Sequence, residues 1–231
     1  MQYLNRANAA PLLGEFLGTA TLVMVALALS EITSVSYFVA TSVAAALGVV
    51  YMMFSGLSGA HVNPAITFGM WTARKIGTVR GVSYIIAQLL GGFASWQLYQ
   101  YFTDHKLQSR TASWDWRVLL AEATGTLVLS MGFAAALTRG FTALEGALTY
   151  ATSLFAGIMI AATAAAGFLN PAVALGLRSF DWVYILGPLV GALVGINLYG
   201  YLFTPATANA SAASRASKAG VVVKRSSAKK K

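Results

Sequence analysis

Six stretches of this chain are long and apolar enough to cross a lipid bilayer, and no other feature constrains the fold as strongly. They lie near residues 11–30, 37–57, 81–102, 117–138, 144–165 and 182–203, each close to the roughly 20 residues that span about 30 Å of hydrocarbon. Only 10% of the 231 residues are charged, where a soluble domain carries about a quarter. The expected class is therefore an all-α, multi-pass integral membrane protein. The first stretch lacks the basic leader and small-residue cleavage site of a signal peptide, so it reads as a span. With no cysteine, disulfide frameworks, thiolate metal sites and thiol nucleophiles are all excluded. Two histidines and seven carboxylates give little material for a metal centre or a charged catalytic cleft. Neither an enzyme nor a cofactor or metal is expected.

The net charge of +9 does not point to nucleic acid. Seven of the sixteen lysines and arginines (Arg215, Lys218, Lys224, Arg225, Lys229, Lys230 and Lys231) follow Thr204, with no carboxylate among them. A nucleic-acid reader carries its basic groups on a folded face, whereas these sit on an Ala/Ser-rich tail too poor in apolar surface to fold. The tail, residues 204–231, is expected to be disordered and drawn to anionic lipid by about 1 kcal/mol per charge. Ser226 and Ser227 are its candidate phosphorylation sites. Between spans, Arg6, Arg74, Lys75, Arg80, Arg139 and the tail make 12 basic residues on one side, against four (Lys106, Arg110, Arg117 and Arg178) on the other. The positive-inside rule then places both termini in the cytoplasm, with the chain in the plasma or inner membrane.

The chain is also internally duplicated. Gly14-Glu15-Phe16-Leu17-Gly18-Thr19 is echoed by Ala121-Glu122-Ala123-Thr124-Gly125-Thr126, and His61-Val62-Asn63-Pro64-Ala65 by Phe168-Leu169-Asn170-Pro171-Ala172; the Glu pair and the Asn pair are both 107 residues apart. Leu90-Gly91 and Val190-Gly191 are 100 apart, so the second half has lost seven residues after its Asn-Pro-Ala. Residues 1–10 precede a duplicated domain at 11–203, whose halves run from 11 to 102 and from 117 to 203. Three spans per half make this an inverted repeat, which places a site at the bilayer midplane between the halves.

The Asn-Pro-Ala segments fall outside the six spans. Asparagine is a favoured N-cap and proline a favoured first helical residue, so each motif opens a helix. Eleven residues from Pro64 to Arg74 make roughly 16 Å of helix at about 1.5 Å per residue. That is half a membrane, and two such half-helices dipping from opposite faces complete one pseudo-span. Asn63 and Asn170 would then present amide donors at the midplane, where the two helix dipoles also disfavour cations.

These residues, with Ala87-Gln88-Leu89-Leu90-Gly91-Gly92 and Ser58-Gly59-Ala60 before the first motif, resemble the aquaporin, or major intrinsic protein, family across residues 11–203. The resemblance implies six spans plus two re-entrant half-helices, a homotetramer in membrane lipid with one pore per subunit, and passive flux of water and small neutral solutes. It implies Asn63, Pro64, Ala65, Asn170, Pro171 and Ala172 as pore motifs, and His61 in the inner vestibule. It also implies that Glu15 and Glu122 brace the two loops. Taken alone, carboxylates within spans also suit a proton relay, but recurrence once per half favours the structural role, since re-entrant backbone needs internal acceptors.

The chain departs from the family at its outer constriction. Where members usually carry an arginine after the second motif, this chain has Val173, and the other three constriction positions map to Val43, Ile158 and Gly167. This Val, Ile, Gly, Val set has no charge and no side-chain donor, so a wider, more apolar filter is expected, admitting glycerol, urea, ammonia or hydrogen peroxide beside water. Other markers are mixed. Ala174 stands where glycerol-conducting members carry Asp, and Tyr184-Ile185 where they carry Pro-Leu, while Arg178 matches a basic residue of those members. The alternatives are a broad neutral-solute facilitator with water secondary, an ion-coupled transporter, which shares inverted repeats and broken helices, and a structural protein with a vestigial pore.

Overall fold

The computed structural model describes residues 6–111 and 113–203. The expected tail, 204–231, and its candidate phosphorylation sites lie outside the described residues. In chain order the helices are α1 (Arg6–Ile32), α2 (Ser36–Ser58), α3 (Pro64–Thr72), α4 (Thr78–Thr103), α5 (Trp116–Thr138), α6 (Ala143–Ala161), α7 (Pro171–Gly176) and α8 (Trp182–Leu202). Six are long and two, α3 and α7, are short. Each short helix begins at an Asn-Pro-Ala.

Local chemistry sets the ends. Asp115 caps α5 by accepting from the Arg117 N–H at 2.8 Å, and Thr142 with Glu145 forms a capping box on α6. Both half-helices stop in the same way. After α3, Arg74 is left-handed at φ 57° and the Lys75 N–H reaches back to the Met70 carbonyl; after α7, Arg178 at φ 62° lets the Ser179 N–H reach Ala174.

Five of the long helices are apolar enough, as well as long enough, to cross a membrane. The sixth expected span, α4, is diluted by Gln88, Ser95, Gln97 and Gln100. At 26 residues it is about 39 Å long and packs along α1, so it still crosses. Part of its polarity is spent inside the protein: Gln88 and Ser95 are buried. The fifth span ends at Ala161, four residues short of its expected limit, because the chain turns at 162–165 to deliver residues 167–169 to Glu122. Leu17, Met53, Ile86, Leu120, Leu148 and Val190 point outward from the six long helices and are all exposed. A continuous apolar exterior of this kind belongs against lipid or another copy of the chain.

The halves are interlocked. α1 packs on α2 and α4, α5 packs on α6 and α8, and α2 meets α6 between the halves. The half-helices cross over, α3 lying chiefly on α8 of the second half and α7 on α4 of the first. Glycines make both crossings possible. A Cβ at Gly69 of α3 would stand 2.7 Å from the Ala192 carbonyl oxygen, and one at Gly92 of α4 would strike that of Ala172 on α7. Gly91 and Gly191 are used alike, each facing a carbonyl of the first helix of its own half, Phe16 or Ala123. The 100-residue offset seen in the sequence is therefore a structural equivalence. Three of the seven missing residues come from the half-helix, which has nine residues in α3 and six in α7.

Overpacking at a backbone contact costs about 1–3 kcal/mol. Gly191→Val should therefore lower the unfolding temperature in detergent, whereas Gly200→Val, where a Cβ meets nothing within 4 Å, should leave it nearly unchanged.

Candidate functional site

Two loops, 59–63 and 165–170, carry the site. In each, alternate residues take left-handed backbone: Ala60 and Val62 at φ 49° and 44° in the first, Gly167 and Leu169 at φ 72° and 53° in the second. This conformation turns successive N–H groups to one side, and a carboxylate stands there in each half. Glu15 accepts through Oε1 from the His61 N–H (3.0 Å) and the Ser58 hydroxyl (2.6 Å), and through Oε2 from the Val62 N–H (2.6 Å) and Gln88 Nε2 (2.7 Å). Glu122 accepts from Gly167 (2.8 Å) and Phe168 (3.1 Å) through Oε1 and from Leu169 (2.8 Å) through Oε2. Both carboxylates are fully buried. Four donors thus hold Glu15 and three hold Glu122, most of them backbone N–H groups of the loops.

The asparagines cap the half-helices. Asn63 Oδ1 accepts from the Ala65 N–H (2.8 Å) and Asn170 Oδ1 from the Ala172 N–H (3.0 Å). Their amide donors cross between halves, Asn63 Nδ2 to the Leu169 carbonyl (2.8 Å) and Asn170 Nδ2 to the Val62 carbonyl (2.9 Å). Each amide makes one such bond among the described residues and so keeps a second N–H. The sequence argument assigned both donors to whatever occupies the midplane; the structure spends one of each pair on holding the halves together.

A cavity of about 310 Å³ leads from the α1–α2 turn and Arg110 down to the two asparagines. Val43, Ile158, Gly167 and Val173 all line it, although they come from α2, α6, the second loop and α7. Ala165, Ala166 and Phe168 complete one wall. Pro64, Ala65, Pro171 and Ala172 are buried in the half-helix first turns. His61 lies elsewhere. It is 4% exposed, its Nδ1 is 3.1 Å from the Thr67 hydroxyl, and its ring meets Tyr84 and Phe133 edge-on, so it packs beside the first loop and is not among the residues lining this cavity.

Among the lining residues that sequence reasoning did not assign to the site, two stand out. Arg110, in the α4–α5 connection, lines the mouth, pairs with Glu31 at 3.1 Å and donates its N–H to the Arg178 carbonyl. Tyr150, on α6, lines the floor, and the repeat offset could have found it. Arg178, matched above to a basic residue of glycerol-conducting members, lays its guanidinium 4.1 Å from the Trp96 ring.

The family model for the major intrinsic protein family matches residues 5–199. The chain belongs to that family. An aquaporin of Arabidopsis thaliana, TIP2-1, is 34% identical over 171 residues, 68% of each chain. The aquaporin AqpM of Methanothermobacter thermautotrophicus is 32% identical over 168 residues, 63% of this chain and 68% of the relative. Among solved structures, the aquaglyceroporin from Plasmodium falciparum superposes with a TM-score of 0.66 at 21% identity, covering 84% of this chain and 96% of that one. The protein is thus an integral membrane channel of the major intrinsic protein family, with the aquaporin fold.

Removing the Glu122 carboxylate strands three N–H groups, those of Gly167 and Leu169 buried and that of Phe168 part-buried, at roughly 1–3 kcal/mol for each buried one. Glu122→Ala should fail to give a monodisperse peak on size exclusion in detergent. Glu122→Gln, which keeps two acceptor lone pairs, should elute normally with a lowered unfolding temperature.

Proposed function

We propose that this channel conducts water passively and, through a widened apolar filter, small neutral solutes such as glycerol, urea, ammonia and hydrogen peroxide. The observation that carries the reading is the wall formed by Val43, Ile158, Gly167 and Val173 above the asparagine pair. Those side chains offer no charge and no donor, so a neutral solute meets little electrostatic selection there.

Below the wall, the remaining N–H of Asn63 and of Asn170 donates to the oxygen of the permeant, and the N-termini of α3 and α7 add positive potential. A water held this way turns its own hydrogens outward on both sides, which breaks a proton wire at the midplane, where charge is costliest. No carboxylate lines the cavity, which favours a passive channel over ion-coupled transport. The cytoplasmic placement of both termini follows from the lysine and arginine count. The homotetramer and its lipid surround follow from the family and suit the exposed apolar faces of the long helices. The absence of a donor in the wall also favours a second reading, a broad neutral-solute facilitator with water secondary.

Stopped-flow light scattering on proteoliposomes decides between the readings. Water efflux should exceed that of empty liposomes, with measurable glycerol and urea uptake. Val173→Arg should cut solute uptake about tenfold, by adding bulk and charge to the wall, while water flux persists. Fast water with no solute uptake in the unmodified protein would leave a strict water channel. In the same liposomes loaded with a pH dye, proton flux should match the empty control.

A further inference from the structure

The wall on one side of the asparagine pair has a counterpart on the other that the inverted repeat specifies residue by residue. Moving each wall position by the 107-residue offset takes Val43 to Tyr150, Ile158 to Tyr51, Gly167 to Ala60 and Val173 to Ile66. The structure keeps this correspondence, since Asn63 with Asn170 and Glu15 with Glu122 make equivalent hydrogen bonds at the same offset. The two sides differ in what they carry. On the side of the α1–α2 turn the helices contribute Val43 and Ile158; on the side of the termini they contribute two tyrosines.

Those tyrosines are in contact, with ring centroids 5.9 Å apart and planes at 69°. Phe133 backs Tyr150 at 4.9 Å, and Gly146 leaves room for Tyr51, whose Cε1 a Cβ there would meet at 2.9 Å. Tyr150 is 1% exposed and Tyr51 6%. The cavity described above ends at this cluster: Tyr150 lines its floor, and Tyr51, Ala60 and Ile66 do not line it. The Tyr150 hydroxyl donates to the His61 carbonyl at 3.1 Å. The Phe168 carbonyl, which is the repeat counterpart, belongs to a residue on the cavity wall and accepts no hydrogen bond among the described residues.

We propose that Tyr150 and Tyr51 form the size-selecting constriction of this channel, on the terminus side of the asparagine pair, and that the Tyr150 hydroxyl occupies a loop carbonyl that a permeant must claim in order to pass. This rests on the channel reading above and sharpens it. The apolar wall admits neutral solutes, and the tyrosine pair grades them by cross-section, so that ammonia and hydrogen peroxide precede urea, and urea precedes glycerol. A permeant takes the His61 carbonyl by donating a hydrogen bond as the Tyr150 ring swings aside, which favours solutes that can donate.

The test exchanges each tyrosine for the residue its counterpart carries. Proteoliposomes of the full chain, of Tyr150→Val/Tyr51→Ile and of Tyr150→Phe are compared for water, urea and glycerol flux, after each variant is shown to elute as the unmodified protein does. The double variant should raise glycerol uptake about tenfold or more, as expected where pore diameter limits passage. Tyr150→Phe keeps the ring and frees the carbonyl, so glycerol uptake should stay low while water flux rises. A conducting parent whose urea-to-glycerol ratio is unchanged in the double variant would overturn the inference and leave the channel reading standing. A silent parent with a conducting double variant would support it, and silence in all three would overturn both. Should the double variant not fold, Tyr150→Phe decides alone: water flux equal to that of the parent counts against any role for the hydroxyl.

Discussion

Backbone that enters a membrane without forming a spanning helix must find acceptors for its N–H groups inside the protein, and the rest of this structure depends on how that is achieved. Glu15 and Glu122 supply the acceptors. Each stands on the first helix of its half and takes the N–H groups that alternating left-handed residues turn toward it. A buried carboxyl group is stable only while the donors that satisfy it remain in place. The loop and the glutamate therefore hold each other in position, and the half-helices start where they do because of that pairing. The asparagine amides add a tie between the halves, so the first turns of α3 and α7 are fixed relative to both.

Duplication explains the frame, and the side chains between α2 and α6 depart from it. The loops, caps and glycine contacts obey the offset closely, because each satisfies a geometric demand that is the same in both halves. Side chains packed between α2 and α6 answer to no such demand. Val43 against Tyr150 and Ile158 against Tyr51 are free to diverge, and a symmetric scaffold thereby acquires two unlike sides.

Most of this was legible in the chain itself. The spans were visible as apolar length, the inverted repeat as one offset shared by two landmarks, and the half-helices as Asn-Pro signals too short to cross. The four wall residues were reachable because helices count evenly: Val43 and Ile158 could be placed from motifs many turns away. Three things were less accessible. The amphipathic α4 hides part of its apolar character, since Gln88 and Ser95 face other helices and dilute any average over the segment. The end of α6 was overrun because the alanine-rich run at 161–166, broken only by Thr163, favours helix, and the pull of a carboxylate 45 residues upstream of Gly167 interrupts it. The crossed use of the asparagine amides depends on the distance between two loops, which no local pattern encodes.

The interlocking of halves bears on how the chain is made. Helix α3 rests chiefly on α8, the last of the long helices among the described residues, and the Asn63 amide bonds to a carbonyl 106 residues further along. At translation rates of about 5–20 residues per second, the first loop waits roughly 5–20 s for its partner. During that interval Glu15 and Gln88 are its internal support, already present in the first half. Among the described residues Glu122 has no side-chain partner equivalent to Gln88, and its loop emerges only after the first half has been made.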